Sequence, residues 1–300
     1  MSDKTLGILC YIDNSPTMLE DFSWIYKSWI YSGNWRTSDL IAVCNPLIYD
    51  QLPDESGVVR IAREPAAVPG TQWEGYPFIN SIACLIGPHT DELASRYKYI
   101  LRTDADVFLT HNLVNFRPNV AVLGRGHYAK RADVREKIVE FAERHGLKHH
   151  GVFNCGHSIL ALSHHVLEFL KDQYIVCEWL LDEFKEDKGE WPGWCFDVIT
   201  MYAAEIIANS NYDLFLSLGY TNILDYESNL ESNIDLGHIL HIHGVHTDEY
   251  WSKHKFRSGA YADRDPSTLD RSVVTDYCQW IAATPVEDIK RVSGYDPRPS

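Results

Sequence analysis

The sequence predicts an α/β fold built on a mixed, mostly parallel sheet with helices on both faces. Three observations carry that expectation. Short apolar runs alternate with segments of helical period over the first 110 residues. The first run, Leu6 to Ile12, is followed by Asn14-Ser15-Pro16, a helix start with Ser15 as cap and Pro16 in the first position. A later run, within Tyr97 to Thr110, ends abruptly in two carboxylates one residue apart, Asp104 and Asp106.

In chain order, Met18, Phe22, Ile25 and Trp29 recur on one helical face after that cap, with Glu20 and Asp21 expected in the first turn. Asp39 to Asn45 and Val58 to Ala62 read as the second and third strands, separated by a short helix or turn between Pro46 and Pro53. Phe78, Ile82, Leu85 and Ile86 fall in helical register and lead back to the strand before the carboxylates. Asn119 to Gly124 is a further strand, and Arg131 to His145 a helix stopped by Gly146. His149 to Leu162 ends as an apolar strand. Ser163 caps a helix through Leu170, and Glu178 to Lys185 reads as a separate short one. Asp197 to Asn209 is a helix apolar nearly all round, hence buried. Two weak strands are expected around Leu214 and Ile239, and the stretch beyond Pro285 is expected to fray. The whole reads as one domain, residues 1–285, in two halves (1–125 and 126–285), with a tail (286–300).

Composition narrows the function. Of 300 residues 45% are hydrophobic and 12% aromatic, a chain with large side chains to bury. A net charge of −15, from 27 basic and 42 acidic residues, suits nucleic acid poorly. An acidic protein that binds an anionic nucleotide needs local cations or a metal ion to reverse the field. Seven cysteines without a C-x-x-C pair point to a reducing compartment, read here as the cytoplasm. The N-terminal apolar segment is too short for a signal peptide, and no window approaches the ~18 uncharged apolar residues of a membrane span.

Asp104 and Asp106, at i and i+2 of an extended segment, point to one side and can share a divalent cation; the plain alternative is an Asp-rich turn. Ligands of parallel sheets sit beyond the carboxyl ends of the strands, where these residues fall. Downstream, Ile239 to Lys255 brings His241 and His243 to one face of a strand before Gly244. Either could complete the site with a nitrogen ligand suited to manganese, or be ordinary strand polarity.

An Asp-x-Asp closing a mid-chain strand, with a His-bearing strand far downstream, resembles the retaining, metal-dependent glycosyltransferases of the GT-A fold, of the glycogenin and galactinol synthase kind. The His-Phe-x-Gly signature of that family corresponds to His241, Ile242, His243 and Gly244. Its Lys-Pro-Trp corresponds to Trp251 and Lys253, here in the reverse order. Pro77 to Leu85 resembles the family's helix before the metal strand, Phe153 to Gly156 its Asn-x-Gly loop, and Trp191-Pro192-Gly193 with Asp197 its Asp-Gln segment, with Val198 in place of Gln. The resemblance implies transfer of a sugar from a nucleotide sugar, UDP favoured, to an acceptor hydroxyl of a protein, glycan or small molecule, with retention. It implies Mn²⁺ (or Mg²⁺) held by Asp104, Asp106 and His241, with His243 as alternate. Asp104 also meets the ribose, and Arg102, His246 or Lys253 adds positive charge at the diphosphate, near Gly244. Asp197 faces the sugar or caps its helix, Asn154 bonds sugar hydroxyls or serves a turn, and Trp191 and Trp194 form an acceptor platform or pack in the core.

Two other readings meet the same motif. A haloacid-dehalogenase type phosphatase also carries Asp-x-Asp after an apolar strand, but there the motif opens the chain, has Thr or Val where Phe108 stands, and is joined by an Asp-Asp pair absent from this sequence. A non-enzymatic binding module would use the carboxylates only as a surface turn.

Overall fold

The computed structural model describes residues 4–211, 213, 223–228, 230–244 and 251–296. Strands β1 (Leu6–Ile12), β2 (Ser38–Cys44), β3 (Val58–Ala62), β4 (Tyr99–Arg102), β6 (Val122–Arg125) and β7 (Cys155–Leu162) form one sheet in the order β3-β2-β1-β4-β7-β6. The first four are parallel, and β7 runs against both β4 and β6. A small second sheet, ordered β5-β9-β8, joins β5 (Val107–Leu109) and β8 (Tyr226–Glu227) to β9 (His241–His243).

Every residue of β1 and β2 is buried, because helices cover both faces of this parallel region. Leu9, Tyr11, Ile41 and Val43 face a core shared with α4 (Ala132–Arg144), α5 (Ser163–Glu183) and α6 (Ile199–Ser210). Ile8, Cys10, Leu40 and Ala42 face the other, shared with α1 (Pro16–Tyr31) and the last helices of the chain. Between β3 and β4 lie the short α2 (Asn80–Ala83) and α3 (Pro88–Arg96).

Several expectations change. Ser15 is the N-cap residue of α1, but its hydroxyl bonds Thr17 and caps no backbone amide. Glu20 and Asp21 fall in the second turn and pair there with Arg257. The two helices expected between Ser163 and Lys185 are one 21-residue helix, α5, since burial of Gln173, Val176 and Cys177 continues one face across the supposed gap. The strand expected around Leu214 lies outside the described residues. The stretch after Pro285 does not fray at once: it forms a helix (Val286–Ser293) with Ile289 buried and Gly294 in the left-handed conformation that ends it.

Candidate active site

Strands β1 and β4 end side by side, and their carboxyl ends open onto a cavity of about 980 Å³ lined by Asp13, Asp104, Asp106, His157, His243 and Lys253, among others. Asp104 and Asp106 lie in the link between the two sheets, after β4 of the large sheet and before β5 of the small one. The antiparallel pairing Val107↔His243 then sets His243 beside Asp106. Gly244 completes this approach. Its N–H donates to the Asp106 carbonyl at 2.8 Å, and a Cβ at that residue would lie 2.9 Å from the same oxygen.

Asp104, Asp106 and His243 each offer a ligand atom within 4.8 Å of the others. His243 Nε2 is 3.4 Å from Asp106 Oδ2, and Lys253 Nζ donates to that same oxygen. Burial disfavours the charged form of Asp106, but Lys253 and His243 outweigh it and hold the carboxyl well below its ordinary range. Burial likewise opposes protonation of His243, while the Asp106 charge pushes it up to about 9. Asp21, buried and exposed to the Asp106 charge, is pushed up to about 7 despite its pair with Arg257. Two carboxylates and an imidazole fit a hard divalent cation such as Mn²⁺ or Mg²⁺.

Lys253 opens a short helix, α7 (Lys253–Arg257), capped by Ser252, whose hydroxyl accepts from the Lys255 N–H at 3.3 Å. Two anchors fix this helix. Arg257 reaches Glu20 and Asp21 on α1, and Trp251 is buried edge-on against Trp24 and Phe108 at 5.6 and 5.2 Å. The reversed order of Trp251 and Lys253 thus still delivers an ammonium to Asp106.

Other expected residues fall elsewhere. His241 is fully buried, its Nε2 is 2.6 Å from Thr103 Oγ1 and its Nδ1 accepts the Asp225 N–H at 3.0 Å, so His243 rather than His241 joins the carboxylates. Arg102 is buried behind Asp104, which it meets at 3.4 Å, and donates to the His157 and Ser81 carbonyls instead of facing the cavity. Asn154, with φ of 65°, accepts the Ala129 N–H and donates to the Ala129 carbonyl. Its amide pins a turn, and the residue is not among those lining the cavity. Asp197 stands exposed on the cavity wall. The following helix starts at Ile199 without a side-chain cap bond, so the capping reading of Asp197 fails. Trp191 lines the cavity at 53% exposure, while Trp194 stacks on Tyr202 at 4.4 Å and belongs to the core. His246 lies outside the described residues.

Sequence reasoning missed His157, on the cavity wall with Nδ1 4.0 Å from Asp104 Oδ2, and Asp225. A histidine in the polar start of an apolar strand was the available signal for His157. Asp225 gave none, since it sits in a polar segment without period.

A sequence profile of the family described as "Domain of unknown function (DUF7164)" matches residues 1–291. The chain belongs to this family. No curated protein matches the DUF7164 chain. Similar solved structures include the galactosyltransferase LgtC in complex with donor and acceptor sugar analogues, with a TM-score of 0.46 and 11% identity over 96% of this chain and 99% of that one. An active-site mutant of LgtC gives 0.44 and 13%, over 86% and 95%. The bifunctional glycosyltransferase WbbM in its apo form gives 0.44 and 13%, over 95% of this chain and 51% of its own, so the present chain spans about half of WbbM. Among the described residues no helix is long and apolar enough to cross a membrane.

Proposed function

We propose that the chain is a metal-dependent glycosyltransferase that moves a sugar from a nucleotide-sugar donor, UDP favoured, to an acceptor hydroxyl. One observation carries this reading: Asp104, Asp106 and His243 converge at the carboxyl end of the sheet, on the wall of a cavity large enough for a donor and an acceptor together. The resemblance of the Asp-x-Asp motif, and of His241 to Gly244 to the His-Phe-x-Gly signature, supports the reaction class and with it retention of the anomer. Seven buried, unbridged cysteines fit a reducing, cytoplasmic setting.

Asp104, Asp106 and His243 would hold Mn²⁺ or Mg²⁺, which when bound supplies Lewis-acid stabilisation of the charge on the departing diphosphate. His243 must give up its proton to serve as a ligand. Lys253, already at Asp106, is placed to turn to the diphosphate once a cation satisfies that carboxylate. Asp197, on the wall of the same cavity, presents a carboxylate to the sugar or acceptor hydroxyls, and Trp191 offers a ring face for the acceptor.

The test is thermal stabilisation and donor hydrolysis across a panel of nucleotide sugars with and without Mn²⁺. A donor at 100 times its Kd stabilises by about 2.7 kcal/mol, a shift of several degrees. Stabilisation that requires both metal and one class of donor supports transfer; no response from any donor, with Asp104 and Asp106 intact, overturns it.

A further inference from the structure

The geometry points to a positioning device behind the metal trio: a closed hydrogen-bond ring of Thr103, Ser158, Asp225 and His241 that sets the link carrying Asp104 and Asp106. The inference rests on the metal-dependent reading above.

The ring closes through named atoms. His241 Nδ1 accepts the Asp225 N–H at 3.0 Å, so the proton of the neutral imidazole sits on Nε2, which donates to Thr103 Oγ1 at 2.6 Å. The Ser158 hydroxyl is 3.1 Å from Thr103 Oγ1 and donates to Asp225 Oδ1 at 2.6 Å, while the Ser158 N–H reaches Asp225 Oδ2 at 3.2 Å. Thr103, Ser158 and His241 are buried, so water does not replace these bonds at little cost.

The surroundings are shaped for the Asp225 carboxylate. A Cβ at Gly124 would lie 1.6 Å from Asp225 Oδ2, and one at Gly156 2.2 Å from it. These two glycines, on neighbouring strands β6 and β7, form the slot it occupies. Asp225 itself has φ of 52°, a left-handed conformation that few L residues adopt. An apolar filler would need neither the slot nor the acceptor.

Its location gives the ring a task. Thr103 and Ser158 belong to the end of β4 and to β7 of the large sheet, whereas His241 lies on β9 and Asp225 just before β8 of the small one. Backbone bonds hold the link between β4 and β5 at its two ends, Thr103 N–H to the Leu9 carbonyl at 3.0 Å and Gly244 N–H to the Asp106 carbonyl at 2.8 Å, and the ring adds side-chain ties between the sheets across the stretch that carries Asp104 and Asp106. The ring ties the two sheets together at that link, directly beside Asp104 and two residues before His243. Thr103, Ser158, Asp225 and His241 are thus positioning residues, and His241 is no ligand because both its nitrogens are committed.

The experiment is titration of Mn²⁺ alone into the full chain, by calorimetry or electron paramagnetic resonance, with circular dichroism recorded on the same samples. Thr103→Val keeps the shape and loses the hydroxyl; Thr103→Ser keeps the hydroxyl; Ser158→Ala opens the ring elsewhere. With folded spectra, Thr103→Val and Ser158→Ala are expected to weaken Mn²⁺ binding about 10-fold or more, while Thr103→Ser stays within about 2-fold. Unchanged Mn²⁺ affinity in both ring-breaking variants overturns the inference, as does loss of fold in both, which would make the ring a stability feature. Absence of Mn²⁺ binding by the wild-type chain instead removes the metal-dependent reading itself and the inference with it.

Discussion

Lys253 donates to Asp106 across a sequence separation of 147 residues, and both side chains are buried where they meet. The ammonium stands where a divalent cation would otherwise neutralise the same carboxylate. Breaking a buried pair on one side costs ~3 kcal/mol, because the remaining charge loses its partner. Lys253→Met should therefore lower the melting temperature without metal, and Mn²⁺ should restore more of it than the ion adds to the wild-type chain. Differential scanning calorimetry with and without Mn²⁺ checks this; an equal Mn²⁺ response in both proteins would show that the two cations do not share Asp106. Donor hydrolysis should stay about 100-fold low even with metal present, since the diphosphate loses an oriented positive charge.

The trio predicts an order among single substitutions. Asp106→Ala removes the carboxylate shared by His243 and Lys253, and Mn²⁺-dependent donor hydrolysis should disappear. His243→Ala should lose metal affinity by about 10-fold or more without removing the cavity. Unchanged hydrolysis in Asp106→Ala would show that the carboxylate holds no metal.

Much of this arrangement was legible in the sequence, for physical reasons. Strands β1 and β2 are buried on both faces and read as apolar runs. The charge of Asp104 and Asp106 after such a run is conspicuous. The choice between His241 and His243 was not legible. Both lie on one face of β9, and only the register Val107↔His243, fixed by pairing with a distant strand, decides which meets Asp106. The turn reading of Asn154 could not be chosen over the sugar reading because its left-handed backbone cannot be seen in the letters N-C-G. Asp225 was invisible because its role depends on a slot made by glycines on two other strands. Helix α5 was split in two because Lys171 and Asp172, on its exposed side, look like an interruption when the buried side is unknown.

Glu205 is the buried carboxylate of α6, a helix otherwise without charged residues. Its Oε2 accepts from the Tyr128 hydroxyl at 2.8 Å and from the Asn154 N–H at 2.5 Å, so it supports the cavity wall around Gly126, His127 and Tyr128. Glu205→Ala leaves the Asn154 N–H without its acceptor at about 1–3 kcal/mol and opens a void besides, while the Tyr128 hydroxyl keeps the Cys155 carbonyl at 2.8 Å. Chemical denaturation should register a loss of roughly 3–5 kcal/mol, with Glu205→Gln intermediate. A loss under about 1 kcal/mol in the alanine variant would mean that water replaces the carboxylate freely.

The last helix (Val286–Ser293) is held to the body of the protein partly by Lys290, which donates to Glu55 Oε1 at 2.5 Å, while the Tyr26 hydroxyl donates to Oε2 at 2.6 Å. Burial favours the neutral acid, yet the hydrogen bonds from Lys290 and Tyr26 outweigh it and hold Glu55 below its ordinary 4.5. A carboxyl depressed on folding contributes stability that is complete above the unfolded value and is lost as pH falls through the folded one. Glu55→Gln should therefore cost about 1–2 kcal/mol at pH 7, a few degrees in melting temperature, because one charge-assisted pair becomes a neutral one. The difference between the two proteins should shrink steadily as the pH drops below the ordinary 4.5 and the wild-type carboxyl takes up its proton. Melting curves at a series of pH values decide the matter: a gap that stays constant down to the acid limit would assign the loss to packing around Lys290 and Tyr295 and not to the charge on Glu55.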